Sequence, residues 1–230
     1  MQTAFLKLPF QYSEEKLLKD LAVCKNYSFT SHFNKNDYSG QWTSIAFRSQ
    51  NGEMDNIFAL PQSDTSYKDT ALLHKCEYFK EIINSFNCEK ESVRLLNLKP
   101  GSIIKEHTDN NLGYEDGIFR IHIPITTNNE VHFFTNSEEV KMLPTECWYG
   151  NFNLPHSVRN DGNTERIHLV MDCLRNDWSD KLFGESGYNF EFETKQPEYS
   201  RETKLQMIAQ LELMDTETSK TMISDLQKEL

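Results

Sequence analysis

The chain predicts a mainly β fold with flanking helices, a sandwich or barrel-like jelly roll. Three observations carry this. From about residue 90 to 175, short runs rich in Val, Ile, Phe and Tyr recur at close intervals, with Asn, Gly and Pro between them. No helical pattern alternates with these runs, so a parallel βαβ sheet is excluded. Clear helical periodicity falls only before and after that stretch.

Taken in order, "SEEKLLKDLAVC" (13–24) has Ser13 as an N-cap, acids in its first turn, and Leu17, Leu18 and Leu21 on one face, which predicts an amphipathic helix. "GQWTSIAFRSQNG" (40–52) alternates and ends in Asn-Gly, a strand entering a turn. "DTALLHKCEYFKEIINSFN" (69–87) sets Leu72, Leu73, Cys76, Phe79, Ile82, Ile83 and Phe86 at helical spacing, and predicts the clearest helix. "SVRLLNLKPGSIIKEHTD" then reads as two strands around Pro-Gly, followed by "GIFRIHIPITT", "EVHFFTN", "EVKMLP", "ECWYGNF", "HSVRN" and "ERIHLVMDC". The last segment, "RETKLQMIAQLELMDTETSKTMISDLQKEL", predicts one or two helices. They pack either on the β-core or on another chain, which would make a homo-oligomer. The chain thus divides into N-terminal helices and strands (1–90), a β-core (91–178) and a C-terminal helical extension (179–230), forming a single domain.

Composition narrows the function. The chain has 230 residues, 37% of them hydrophobic, with 15 Phe and 9 Tyr, so it is globular. A net charge of −11 excludes a sequence-independent grip on nucleic acid, but leaves room for an anion in a local basic pocket. Five widely spaced cysteines without C-x-x-C predict reduced thiols and a cytoplasmic setting, not a disulfide framework or a zinc site. No apolar run approaches a signal sequence or a membrane span, so no membrane partner is expected.

The basic residues that stand out lie in "NLPHSVRNDGNTERIHLVMDC" (153–173) and "KEHTDNN". His107 and Asp109, one residue apart at a strand end, are expected on one face. Alone they read more simply as a strand-end histidine beside a turn-forming aspartate. His156 adds a second imidazole, and two histidines with one carboxylate match the facial triad of non-haem Fe(II) oxygenases. Arg166 lies ten residues further, across "NDGN". A three-residue hairpin loop with Gly162 left-handed would pair Val158 with Arg166, and put His156, Arg166 and His168 on one side. An inward guanidinium needs an anionic partner. "FRIHIPI" repeats the R-x-H pattern, with Arg120 and His122 on one face and Ile121, Ile123 and Ile125 on the other.

Together "VRLLNLKPGSIIKEHTD", "GIFRIHIPI", "ECWYGNFNLPHSVRN" and "ERIHLVMD" resemble the aspartyl/asparaginyl β-hydroxylase family of Fe(II)- and 2-oxoglutarate-dependent oxygenases, which includes bacterial L-proline cis-4-hydroxylases. The resemblance covers roughly residues 90–175. It implies a double-stranded β-helix, the cupin-like jelly roll, whose core carries the metal and 2-oxoglutarate sites. It implies His107, Asp109 and His156 as the catalytic iron ligands, and Arg166 as the partner of the distal carboxylate of 2-oxoglutarate. Arg120 and His122 match positions near the chelating carboxylate, with His168 beside them. O2 is the oxidant, and the expected reaction is hydroxylation of a C–H bond.

Two departures matter. Vertebrate-type aspartyl hydroxylases lack the carboxylate ligand that Asp109 offers, and a serine of those enzymes is replaced by Leu96. The first points to a free amino acid or amino-acid-derived small molecule, with an Asp or Asn residue of a peptide or protein as the alternative, and the second bears on co-substrate contacts beyond Arg166. A cupin-like metal-binding protein that uses no 2-oxoglutarate is a further alternative. Trp42 and Arg48 are the expected substrate-facing residues. The segment "NNLGYEDG" (110–117) is placed as either a lid or an ordinary loop.

Overall fold

The computed structural model describes residues 2–59, 66–193, 200–214, 216–228 and 230. The chain divides into two compact units, Met1–Glu193 and Thr194–Leu230. The first runs β1 (Phe5–Gln11), α1 (Glu14–Cys24), β2 (Thr30–Ser31), β3 (Tyr38–Ser39), β4 (Trp42–Ser49), β5 (Lys68–Asp69), α2 (Glu77–Ser85), β6 (Lys90–Leu98), β7 (Ser102–His107), β8 (Ile118–Thr126), β9 (Val131–Thr135), β10 (Glu138–Glu139), β11 (Glu146–Gly150), β12 (His156–Asn160), β13 (Arg166–Leu174) and α3 (Asp177–Glu185). The second holds α4 (Arg201–Glu212) and α5 (Glu217–Lys228), which pack on each other.

The strands form two antiparallel sheets. The larger has the order β1-β11-β8-β13-β6-β4-β2, with β5 added on β4, and the smaller β10-β9-β12-β7-β3. This is the jelly roll that the strand spacing predicts, with every strand meeting antiparallel neighbours.

The central strands β6, β8 and β13 are buried on both faces, which explains their nearly continuous apolar runs. Val93, Leu95, Ile121, Ile123, Leu169 and Met171 join Leu17 and Leu21 of α1 and Phe79, Ile82 and Ile83 of α2 in one core. The alternate positions face the smaller sheet, where Trp42, Leu98, Ile104, Phe133, Phe152 and Val158 form a second core. Period two therefore sends Arg94, Arg120, His122, Arg166, His168 and Asp172 inward between the sheets. Register confirms the rows: Trp42 lies opposite Leu98 and Leu98 opposite Arg166, while Asp172 lies opposite Arg120.

Three local features differ from the sequence reading. Strand β1 falls in a stretch to which that reading assigns no element, and it contains Pro9. The proline is tolerated where β1 closes the sheet edge, inside a register break between Leu8 and Gln11. The long helix expected over 69–87 is instead β5, a single 3-10 turn at Leu73–Lys75, and α2. Asp20 of α1 explains the late start of α2: its Oδ2 accepts the main-chain N–H of Tyr78 (2.8 Å) and Phe79 (2.9 Å), capping the helix from outside. The apolar spacing still buries every anticipated residue of that stretch.

Most consequential, β12 and β13 do not form a hairpin. β12 pairs with β7 and β9, and β13 with β6 and β8, so the connection crosses from one sheet to the other. Gly162 is not left-handed; it is required by close approach, since a Cβ there would lie 2.2 Å from Asn128 Oδ1. Asn160 holds the crossing through bonds from Nδ2 to the Leu98 and Thr164 carbonyls (3.0 and 2.8 Å). Arg166 points inward because of sheet register, not hairpin pairing.

Candidate metal centre and ligand pocket

His107 ends β7 and His156 begins β12, directly opposite each other in the antiparallel pair, with ring centroids 4.2 Å apart. Asp109 lies beyond the strand end, in the loop, and not on the strand as expected. Its main-chain N–H donates to the Phe152 carbonyl at 2.9 Å, tying the loop to the approach to β12. One ligand atom from each of His107, Asp109 and His156 lies within 4.8 Å of the others. The same geometry repeats at both imidazoles. His107 Nδ1 sits 2.8 Å from the Lys105 carbonyl and His156 Nδ1 3.0 Å from the Leu154 carbonyl, each two residues earlier. Each ring therefore donates from Nδ1 and keeps Nε2 as an acceptor. Burial pushes the His156 imidazole down to about 4, so it is a neutral donor to a cation at ordinary pH.

Charge beside the triad is organised by Asp172. Arg120 donates from Nε and Nη2 to its two oxygens (2.6 and 3.0 Å), and from Nη1 to Asp109 Oδ2 (2.9 Å). Arg94 reaches Asp172 Oδ2 at 3.3 Å, and the Ile57 carbonyl at 2.9 Å. Although burial favours the neutral acid, Arg120 and the two imidazoles hold the Asp109 carboxyl below its usual range.

Arg166 is different. It is 2% exposed, its Nε and Nη2 have no hydrogen-bond partner among the described residues, and no carboxylate faces it there. Burial alone pushes it down to about 9, so it remains a cation at neutral pH. Its nearest organised contact is the face of Phe133, 5.9 Å from Cζ. A buried guanidinium left in this state costs several kcal/mol, on the order of a broken buried ion pair, unless an anion meets it. His122 and His168 sit beside it with Nδ1 atoms 3.4 Å apart, both pushed well down by burial, and His122 Nε2 also lacks a partner among the described residues.

Two adjoining cavities meet at the triad. The inner, about 40 Å³, brings His107, Asp109 and His156 together with Arg120, His122 and Arg166. The outer, about 330 Å³, is lined by His32, Trp42, Arg94, His107, Asp109 and Arg120 among others. The donor set fits a divalent iron that keeps open positions, and the orphaned Arg166 fits a carboxylate chelated beside it.

Of the residues picked from sequence, Trp42 lines both cavities and His168 stands behind His122. Arg48 is elsewhere. It pairs with Asp69 at 2.6 Å and with the Lys90 carbonyl at 2.9 Å, because a register shift after Ala46 turns it from the face of Trp42. Segment 110–117 is fastened down: Leu112 N–H donates to Asn153 Oδ1 (3.0 Å), and the buried Tyr114 hydroxyl donates to Asp180 (2.8 Å) and lies 2.9 Å from Ser179 Oγ. Asp172, Arg94 and His32 went unremarked. For the first two the signal was present, since Asp172 continues the period-two row of Arg166 and His168, and Arg94 that of Leu96 and Leu98.

Comparison with known proteins places the chain by family and fold. The chain is 25% identical over 178 residues to an L-proline cis-4-hydroxylase of Rhizobium meliloti (strain 1021), covering 75% of this chain and 61% of that protein, less than two thirds of its length. In fold it resembles an oxidoreductase of the 2OG-Fe(II) oxygenase family from Burkholderia pseudomallei (TM-score 0.54, 10% identity, 76% of this chain and 86% of that one). It also resembles HygX from Streptomyces hygroscopicus, solved with nickel and 2-oxoglutarate (TM-score 0.50, 7% identity, 76% and 84%). The aspartyl/asparaginyl β-hydroxylase model matches residues 14–176, from the first helix to the end of β13 and just beyond, so every strand but β1 and every residue of the triad fall inside it. On that match the chain belongs to the aspartyl/asparaginyl β-hydroxylase family.

Proposed function

We propose that the chain is an Fe(II)- and 2-oxoglutarate-dependent dioxygenase that hydroxylates an unactivated C–H bond of a free amino acid or an amino-acid-derived small molecule. The observation that carries this is the orphaned Arg166, a buried cation without an anion, beside a His-Asp-His cluster. His107, Asp109 and His156 would hold the iron, and Arg166 the distal carboxylate of 2-oxoglutarate. When bound, iron and 2-oxoglutarate with O2 supply the oxidising power, the co-substrate leaving as succinate and CO2.

The remaining tasks belong to the chain. The Lys105 and Leu154 carbonyls fix which ring nitrogen each histidine presents. Arg120 keeps Asp109 ionised and oriented. His122, stacked on Phe152 at 5.2 Å, offers its unpartnered Nε2 toward the chelating end of the co-substrate. Arg94, 4% exposed with an unpartnered Nε, lines the outer cavity and supports a substrate that carries a carboxylate. The cavity's volume suits a small molecule. A residue within a peptide is the alternative substrate. A cupin-like isomerase has no use for the buried Arg166.

Anaerobic titration of metal-free protein with Fe(II) and 2-oxoglutarate tests the assignment through the metal-to-ligand charge-transfer band. The band should form with the wild type and vanish in His107→Ala. No band in the wild type, or an unchanged one in the variant, overturns it. Succinate release across amino acids and peptides then sorts the substrate classes.

A further inference from the structure

Trp42, His32 and Phe33 line the outer cavity, and Phe58 backs Phe33 from outside that lining. Trp42 lies against His32 with centroids 3.6 Å apart and planes 11° apart. His32 lies on Phe33 at 4.4 Å and 27°, and Phe33 on Phe58 at 4.8 Å and 29°. Tyr38 meets Trp42 edge-on at 5.8 Å and braces the inner end. The inner rings are buried or half-buried, but Phe33 is 54% and Phe58 48% exposed. Single exposed apolar residues need no explanation; a contiguous apolar stack at the mouth of a site does.

Two further features mark this wall as a ligand surface. Trp42 Nε1 and His32 Nδ1 are buried without hydrogen-bond partners among the described residues. Structural stacks seldom leave two ring nitrogens unsatisfied. The outer end is also held in place from the anion-binding side: Arg94 Nη1 donates to the Ile57 carbonyl, which fixes the residue preceding Phe58. The group that reads a carboxylate thus also sets the lip that meets whatever extends outward from it.

We propose that the outer cavity selects a free amino acid with a flat aromatic side chain, its carboxylate toward Arg94 and its ring against Trp42, His32 and Phe33. This rests on the enzyme assignment above and deepens it by naming the side-chain class. A small aliphatic amino acid would leave Phe33 as exposed as it is now. A flat ring packed against Phe33 covers it and adds an aromatic contact.

The test uses protein loaded with Fe(II) and 2-oxoglutarate without O2, and follows perturbation of the charge-transfer band by L-phenylalanine, L-alanine and 2-phenylethylamine. L-phenylalanine should half-saturate at a concentration about tenfold below L-alanine, the scale of one added aromatic contact. 2-Phenylethylamine, lacking the carboxylate, should not compete. Phe33→Ala and Phe58→Ala should each bring L-phenylalanine toward parity with L-alanine while leaving L-alanine unchanged. Equal affinities, a preference for the smaller amino acid, no response to L-phenylalanine, or a preference that survives both substitutions overturns the proposal. Calorimetric titration of the same amino acids into metal-free protein reads the ratio without the band. Failure of the band alone therefore counts against the enzyme assignment, and failure of the ratio against the aromatic wall.

Discussion

Arg120 bridges two carboxylates, donating through Nη1 to Asp109 Oδ2 at 2.9 Å and through Nε and Nη2 to Asp172 at 2.6 and 3.0 Å. Asp172 is buried on the opposite strand and also receives Arg94. The side chain that sets Asp109 is therefore itself set from outside the triad.

Asp172→Asn tests that bracing. It leaves two buried guanidinium groups facing a neutral amide. Metal affinity should fall by about ten- to a hundredfold, the usual effect of losing an outer support. The fold should lose about 3–5 kcal/mol, as when one partner of a buried pair is removed. Metal titration beside urea unfolding separates the two. A stability loss with unchanged metal affinity would make Asp172 a purely structural anchor.

Arg166→Met should stabilise the protein in the absence of co-substrate, because it removes an unpaired buried cation at similar volume. Denaturation midpoints of the two proteins check this. Adding 2-oxoglutarate with metal should raise the melting temperature of the wild type and leave the variant nearly unmoved. 2-Oxoglutarate affinity should fall by about 1.5–3 kcal/mol, with little change in iron affinity. Equal loss of both would remove Arg166 from the co-substrate.

Asp20→Ala removes the acceptor for two N–H groups at the start of α2. The expected cost is about 1–3 kcal/mol, spanning a lost helix cap and charge-assisted bonds. Urea unfolding reads it. An unchanged midpoint would show that solvent replaces the cap.

Thiol labelling of the native protein should show one fast cysteine. Cys24, Cys76, Cys147 and Cys173 are fully buried, whereas Cys88 is partly exposed. Its thiol is lowered by a hydrogen bond from Cys173. Labelling should quicken as pH rises and the thiolate fraction grows. Several equally fast thiols would mean that the core opens readily.

Alternation along a strand is a local property, so the inward row of Arg166 and His168, the row of Arg120 and His122, and the antiparallel class of the fold were all legible in the residues. So was the triad, because imidazole and carboxylate beside apolar runs have few other uses. The capping of α1 by Ser13 was equally local. Which strands pair was not. "HSVRNDGNTERIHL" satisfies hairpin chemistry, yet β12 and β13 belong to different sheets. Each finds its hydrogen-bond partners on strands distant in sequence, and the close approach of Gly162 to Asn128 lets the chain cross. Arg48 shows the converse: unbroken alternation would put it on the face of Trp42, but a register shift between Ala46 and Arg48 turns it to the other face, where it meets Asp69 and the Lys90 carbonyl.

The sequence by itself determined the chemistry of the site, because side-chain type and strand period are carried by each residue and its neighbours. Tertiary structure alone decided what supports it. Asp172 behind Arg120, the Phe152 carbonyl behind Asp109 and the Ile57 carbonyl on Arg94 join segments far apart in the chain. Their contacts arise from sheet register and loop packing, which no local pattern encodes.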